Sequence, residues 1–181
     1  MKKYFHIAVA VIGLFSCRQE SKPMAAMSTT AWQSQLDSLL PLLGHRNWII
    51  VADKAFPLQS ATGMVYINTN ASLPEVVDYT IKKLGAGTHV SPILYTDKEL
   101  AYIPGAEHYR DTLQSIFKGY NVQSLLHDSV FAKMDKTASL FKVVVLKTNT
   151  TIAYSSVFIN LDCKYWSAAK EQQLRAAMKG N

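Results

Sequence analysis

The chain has 181 residues, a formal net charge of +6 and an apolar content of 49%, which suits one domain able to bury a real core. Its lysines and arginines are scattered and no basic run interleaves with aromatics, which speaks against nucleic acid as a partner. Two cysteines and five well-separated histidines leave no Cys/His cluster for a structural metal.

In chain order, Lys2 and Lys3 precede an apolar run from Ile7 to Phe15 that closes in Leu14-Phe15-Ser16-Cys17. A basic start, a short apolar segment and a small residue before the cut describe an export signal. The run is too short to span a bilayer comfortably. The pattern resembles a bacterial lipoprotein signal, which implies that Cys17 is lipidated and becomes the new N-terminus. The other reading is a short buried N-terminal helix, for which Arg18 to Lys22 offers no apolar continuation. Removal of residues 1–16 leaves 165 residues with a net charge of +4 and leaves Cys163 without a partner in its chain. The expected location is the cell envelope, on a membrane outside the cytoplasm.

Residues 17–29 read as the lipidated cysteine and a flexible tether. Thr29 or Thr30 caps a helix expected to run to about Leu43, with Pro41 breaking the pattern late and Gly44 at the stop. Trp48 to Ala52 is a continuous apolar run, typical of a strand covered on both faces. Gly63 to Asn68 reads as a second strand. Ser72 and Pro74 open a helix to about Leu84. His89 to Tyr95 is a strand, Glu107 to Lys118 a helix, and Val122 to Leu126 a short strand. Asp128 or Ser129 caps a short helix. Leu140 to Leu146 and Ser155 to Leu161 are strands, and Trp166 to Met178 is a final, partly exposed helix.

Alternating strands and helices predict a single layered α/β domain. The last two strands have no helix between them, so the roughly six-stranded sheet is expected to be mixed. No glycine-rich phosphate loop follows a strand.

Three constellations carry possible chemistry. In the first, His45 precedes the buried strand and Asp53 ends it, where α/β sheets place ligands. The bland alternative makes His45 a surface residue and Asp53 a turn residue bonded to local backbone. The second is His127 at a strand-to-helix junction, equally readable as a helix start. The third is Tyr154-Ser155-Ser156, which leads into the last strand.

Together these resemble the D-ribose pyranase and L-fucose mutarotase family, RbsD/FucU. Gly44-His45, a hydrophobic strand, then Asp53 and Pro57 carry its first motif, with the eight-residue step from histidine to aspartate kept. His127 and Tyr154 sit where its later polar residues belong, and the similarity covers roughly residues 31–163. The resemblance implies an RbsD-like fold over 30–163, with 164–181 as a C-terminal helical extension. It implies His45 as catalytic residue, Asp53, His127, Tyr154 and Ser156 as sugar ligands, no metal or organic cofactor, and a ring-shaped homo-oligomer. The implied reaction opens and recloses the hemiacetal of a free monosaccharide, ribose- or fucose-like.

The sequence departs from the family in four ways. Ser156 stands where the family has asparagine. The segment from His127 to Tyr154 is about five residues longer. Residues 165–181 extend past the usual end, and family members are cytoplasmic. A non-catalytic sugar-binding or envelope protein on the same fold is the alternative, and an unrelated structural α/β lipoprotein a third reading. Eight extended residues span about 26 Å, so His45 and Asp53 are expected at opposite ends of a strand, meeting one sugar only between neighbouring chains.

Overall fold

The computed structural model describes residues 31–179. The expected signal, lipidated Cys17, tether and Thr29 or Thr30 cap all lie outside the described residues. Six strands form one mixed sheet: β1 (Trp48–Ala52), β2 (Met64–Asn68), β3 (Val90–Asp97), β4 (Asn121–Leu125), β5 (Val143–Lys147) and β6 (Val157–Cys163). Among the described residues, five α-helices accompany them: α1 (Ala31–Leu39), α2 (Leu73–Ala86), α3 (Glu107–Ile116), α4 (His127–Ala138) and α5 (Ala168–Lys179).

The strand order is β2-β5-β1-β6-β3-β4. β1 pairs in parallel with β5 and β3 with β4, whereas β6 runs antiparallel to both β1 and β3. This is the mixed sheet expected from two final strands with no helix between them. One consequence positions the site. The C-terminal ends of β1, β3, β4 and β5 and the N-terminal end of β6 all reach the same rim.

Every residue of β1 is buried, because side chains alternate between two covered faces. Ile49 and Val51 face a core built with Trp32, Leu36, Val76, Val77, Ile81 and Leu113 of α1, α2 and α3. Trp48, Ile50 and Ala52 face a smaller core with Val130, Met134 and Ala138 of α4. Each large apolar side chain taken fully from water contributes about 1.5–3 kcal/mol.

Several local expectations are corrected. The first helix stops at Leu39 and tightens into a 3₁₀ turn over Leu40–Leu42, where Pro41 cannot donate to the α-helical ladder. The starts of α2 and α4 also differ. Ser72 makes no side-chain cap bond; the Leu73 N–H donates instead to Thr150 Oγ1 at 2.9 Å. The helix after β4 begins at His127, ahead of Asp128 and Ser129, and runs for 12 residues. Its length follows from the buried stripe Val130, Met134 and Ala138, spaced four residues apart. The turn that closes this helix takes the start of the expected fifth strand: the Leu140 N–H donates to Thr137 O at 3.0 Å, Leu140 is 76% exposed and β5 begins at Val143. β3 runs on to Asp97, and a 3₁₀ turn over Lys98–Tyr102 follows it. α5 buries none of its residues, and among the described residues no helix is long and apolar enough to cross a membrane.

Candidate functional site

The β5–β6 connection, residues 148–156, lies along the rim where β1 and β3 end. Backbone bonds weld it to the turn after β1: the Thr148 N–H donates to Ala52 O at 2.9 Å, and the Lys54 N–H to Thr150 O at 2.8 Å. Tyr109 of α3 reaches across and donates to Ser155 O at 2.8 Å. Burial pushes the Tyr109 phenol well above its ordinary range, so it stays a donor at any ordinary pH.

Asp53 and Ser156 form a closed pair. Ser156 Oγ donates to Asp53 Oδ2 at 2.8 Å and accepts the Asp53 N–H at 3.1 Å. Asp53 Oδ1 accepts the Ala55 N–H at 2.8 Å, which is the local turn bond of the bland reading. Ser156 is buried and gives its only proton to Asp53, whereas Asp53 is half-buried, with further lone pairs on its carboxylate. Ser156 therefore stands behind Asp53, shaping it.

His127 opens α4 from the end of β4. Its backbone N–H donates to both carboxylate oxygens of Glu99, at 3.1 and 3.2 Å. A carboxylate at a helix N-terminus satisfies an orphan donor and matches the helix dipole. The ring Nδ1–H donates to Asp97 Oδ2 at 2.8 Å. That bond selects the ring orientation and leaves Nε2 as the other nitrogen. The His127 side chain is 36% exposed, whereas that of Asp97 is wholly buried. Burial pushes the Asp97 carboxyl up to about 6; the His127 ring pulls it down, and the Glu99 and Asp53 carboxylates push it further up. Its second oxygen, Oδ1, is buried without a hydrogen-bond partner among the described residues.

Tyr154 meets the His127 ring edge-on, with centroids 5.1 Å apart. Its backbone sits at φ 57°, a left-handed conformation rare for a bulky residue. Tertiary contacts must hold it there, a kind of strain that clusters at working sites. Phe131 lies 4.6 Å from His127 and 5.5 Å from Phe56, centroid to centroid, which gives the rim an apolar wall.

His45 lies elsewhere. It precedes β1 in a turn held by Arg46 N–H to Leu161 O at 2.9 Å and Gly44 N–H to Asn47 Oδ1 at 2.8 Å. Arg46 takes φ 76° there. The His45 Nδ1 pairs with Asp162 Oδ1 at 3.0 Å near the end of β6. The five residues of β1 separate His45 from Asp53 by at least roughly 13 Å. The structure thus gathers Asp53, His127, Tyr154 and Ser156 at one rim and leaves His45 beyond the opposite end of β1.

Asp97 and Glu99 were not anticipated. Asp97 ends β3 as Asp53 follows β1, so the same positional rule would have found it had the strand been followed past Tyr95. Among the described residues, no group of three or more His, Cys, Asp and Glu side chains is arranged to hold a metal ion.

No family model matches the chain, and no curated protein matches it. Solved structures do. RbsD of Bacillus subtilis complexed with D-ribose aligns with a TM-score of 0.54 at 17% identity, over 71% of this chain and 92% of the other. The fold is RbsD-like. FucU of Bifidobacterium longum gives a TM-score of 0.53 at 13% identity, over 71% and 92% of the two chains. The fucose mutarotase of Streptococcus pneumoniae in complex with L-fucose gives 0.50 at 14%, over 71% and 91%. At these identities the likeness shows a shared architecture, a single α/β domain with a mixed six-stranded sheet.

Proposed function

We propose that the protein is a monosaccharide mutarotase or pyranase that interconverts cyclic forms of a free sugar. The observation that carries this reading is the polar rim of Asp53, Asp97, His127 and Tyr154. It lies on a fold whose solved examples include one complexed with D-ribose and one with L-fucose.

Ring opening takes the proton from the anomeric hydroxyl and delivers one to the ring oxygen. The ring C–O bond breaks as the carbonyl forms, and closure on the other face reverses each transfer. Histidine titrates in the range that serves both directions. His45 is the group that moves the anomeric proton. Asp53 accepts hydrogen bonds from sugar hydroxyls, and His127 and Tyr154 complete the lining. Ser156 contributes by holding Asp53. His45 and the rim lie beyond opposite ends of β1, so the working site combines His45 of one copy with the rim of the next in a homo-oligomer. In the same reading, residues 1–16 are removed, Cys17 is lipidated, 17–29 tether the domain, and the enzyme works on a membrane outside the cytoplasm.

One observation favours the alternative, a sugar-binding protein without turnover: both Asp53 oxygens already take part in bonds that shape the Asp53 turn. Saturation-transfer proton NMR separates the two. A chain starting at Ser21 is mixed with ribose, fucose and other monosaccharides, and exchange between anomers is followed. The enzyme speeds exchange of at least one sugar, and His45→Gln abolishes it. Line broadening without faster exchange supports the binding protein.

A further inference from the structure

β6 ends at the same end of the sheet as His45, and the chain that leaves it borders the space beside His45. This is an open cleft of about 490 Å³ lined by His45, Asp162, Tyr165, Trp166 and Glu171, among others. That volume falls within the range of small-molecule sites.

The aromatic residues of this cleft differ from those of the core. Trp32 and Trp48 are 2% and 6% exposed, whereas Trp166 is 42% and Tyr165 68% exposed. Trp166 is nonetheless held in place. Its Nε1–H donates to Glu171 Oε2 at 2.9 Å, and Arg175 Nε donates to Glu171 Oε1 at 2.8 Å. Both carboxylate oxygens are thus engaged, and the indole is tied by its polar edge to α5. The same two bonds keep the Glu171 carboxyl below its ordinary range, so the clamp persists into mild acid. The Glu171 N–H donates to Ser167 O at 2.9 Å, and Lys170 Nζ donates to Tyr165 O at 3.1 Å, which steadies the turn into the helix.

A six-membered sugar ring carries hydroxyls around its edge and C–H groups on its faces. A cleft that suits it offers a few polar groups beside an aromatic surface. The His45–Asp162 pair supplies the first and the extension the second. We infer that Tyr165 and Trp166 form an aromatic wall that takes the apolar face of the pyranose whose anomeric hydroxyl meets His45. The C-terminal extension is then a specificity-determining part of the site. This rests on the sugar-isomerase reading above.

The test uses the full-length protein and two readouts, KM and kcat from anomer exchange, and tryptophan emission during sugar titration. Of the three tryptophans, only Trp166 is open to a ligand. The wall predicts that Trp166→Ala raises KM about tenfold with kcat within threefold, that Trp166→Phe restores most of the affinity, and that sugar shifts the emission of the parent but not of Trp166→Phe. Turnover with KM of Trp166→Ala within twofold of the parent overturns the wall and leaves the enzymatic reading standing. A Trp166-dependent emission change without turnover supports the wall and overturns the enzyme. Neither turnover nor an emission change with any sugar overturns both.

Discussion

The carboxylate of Asp97, wholly buried at the end of β3, accepts a hydrogen bond at 2.8 Å from Nδ1 of His127, the first residue of α4. The two residues are 30 positions apart in sequence, and this bond fixes which ring nitrogen faces outward.

The burial of Asp97, which this bond only partly offsets, makes stability depend on pH. Burial raises the Asp97 carboxyl from the ordinary 3.8 to about 6. The folded state then holds this proton more tightly than the unfolded chain. Its contribution is full below about pH 4, declines as pH rises through about 6, and is gone above that. Asp97→Asn is expected to remove this part of the slope. Urea unfolding of the parent and the variant at half-unit steps from pH 4 to 7 measures the difference. Parallel curves would contradict the assignment.

Ser156 and Asp53 test how the rim is held. Ser156→Ala removes a hydroxyl that both donates to the Asp53 carboxylate and accepts its N–H. The expected loss is about 1–2 kcal/mol, because the half-buried Asp53 carboxylate and N–H each lose a partner. That corresponds to a fall of roughly 3–6 °C in Tm. Thermal melts read the first effect. In anomer exchange, a rise in KM larger than the change in kcat is expected as the Asp53 carboxylate loses its anchor.

Gly63, just before β2, is a packing constraint. A Cβ there would lie 2.3 Å from Ala138 O and 2.4 Å from Phe141 O. Both are backbone atoms that cannot swing away, and Gly63 O itself accepts the Val143 N–H at 3.0 Å. Gly63→Ala is expected to cost about 3 kcal/mol or more by forcing the turn after α4 away from the start of β2. Gly44→Ala is the control, since nothing lies within 4 Å of a Cβ there, and its effect is expected within about 0.5 kcal/mol. Denaturant midpoints compare the two.

The architecture was legible where local pattern decides it. The run Trp48 to Ala52 reads as a strand covered on both faces, and a final pair of strands without a helix implied a mixed sheet, in which β6 is the antiparallel strand. The place of Asp53 directly after β1 was legible in that run. What was not legible depends on distant pairings. Ser156 meets Asp53 across 103 positions, and Thr150 rather than Ser72 receives the first N–H of α2 across 77. Glu99 rather than Asp128 or Ser129 meets the start of α4. Local propensity nominates a capping residue, but the fold delivers another acceptor first. Asp97 was missed for a related reason: aspartate is a poor strand former, and this one is held extended at the end of β3 by pairing with Leu125 of β4.

The central claim is that one sugar site draws His45 from one copy and the Asp53 rim from its neighbour. Mixed oligomers test it most directly. His45→Gln and Asp53→Asn are each expected to be inactive, and the amide introduced by Asp53→Asn keeps the acceptor that shapes the turn. The two variants are unfolded, mixed in equal amounts and refolded, and anomer exchange is measured by saturation-transfer NMR. A shared site predicts recovery of about a quarter of the parent activity, since random assembly leaves roughly one interface in four with both residues intact. Mixtures as inactive as either variant alone would contradict the shared site.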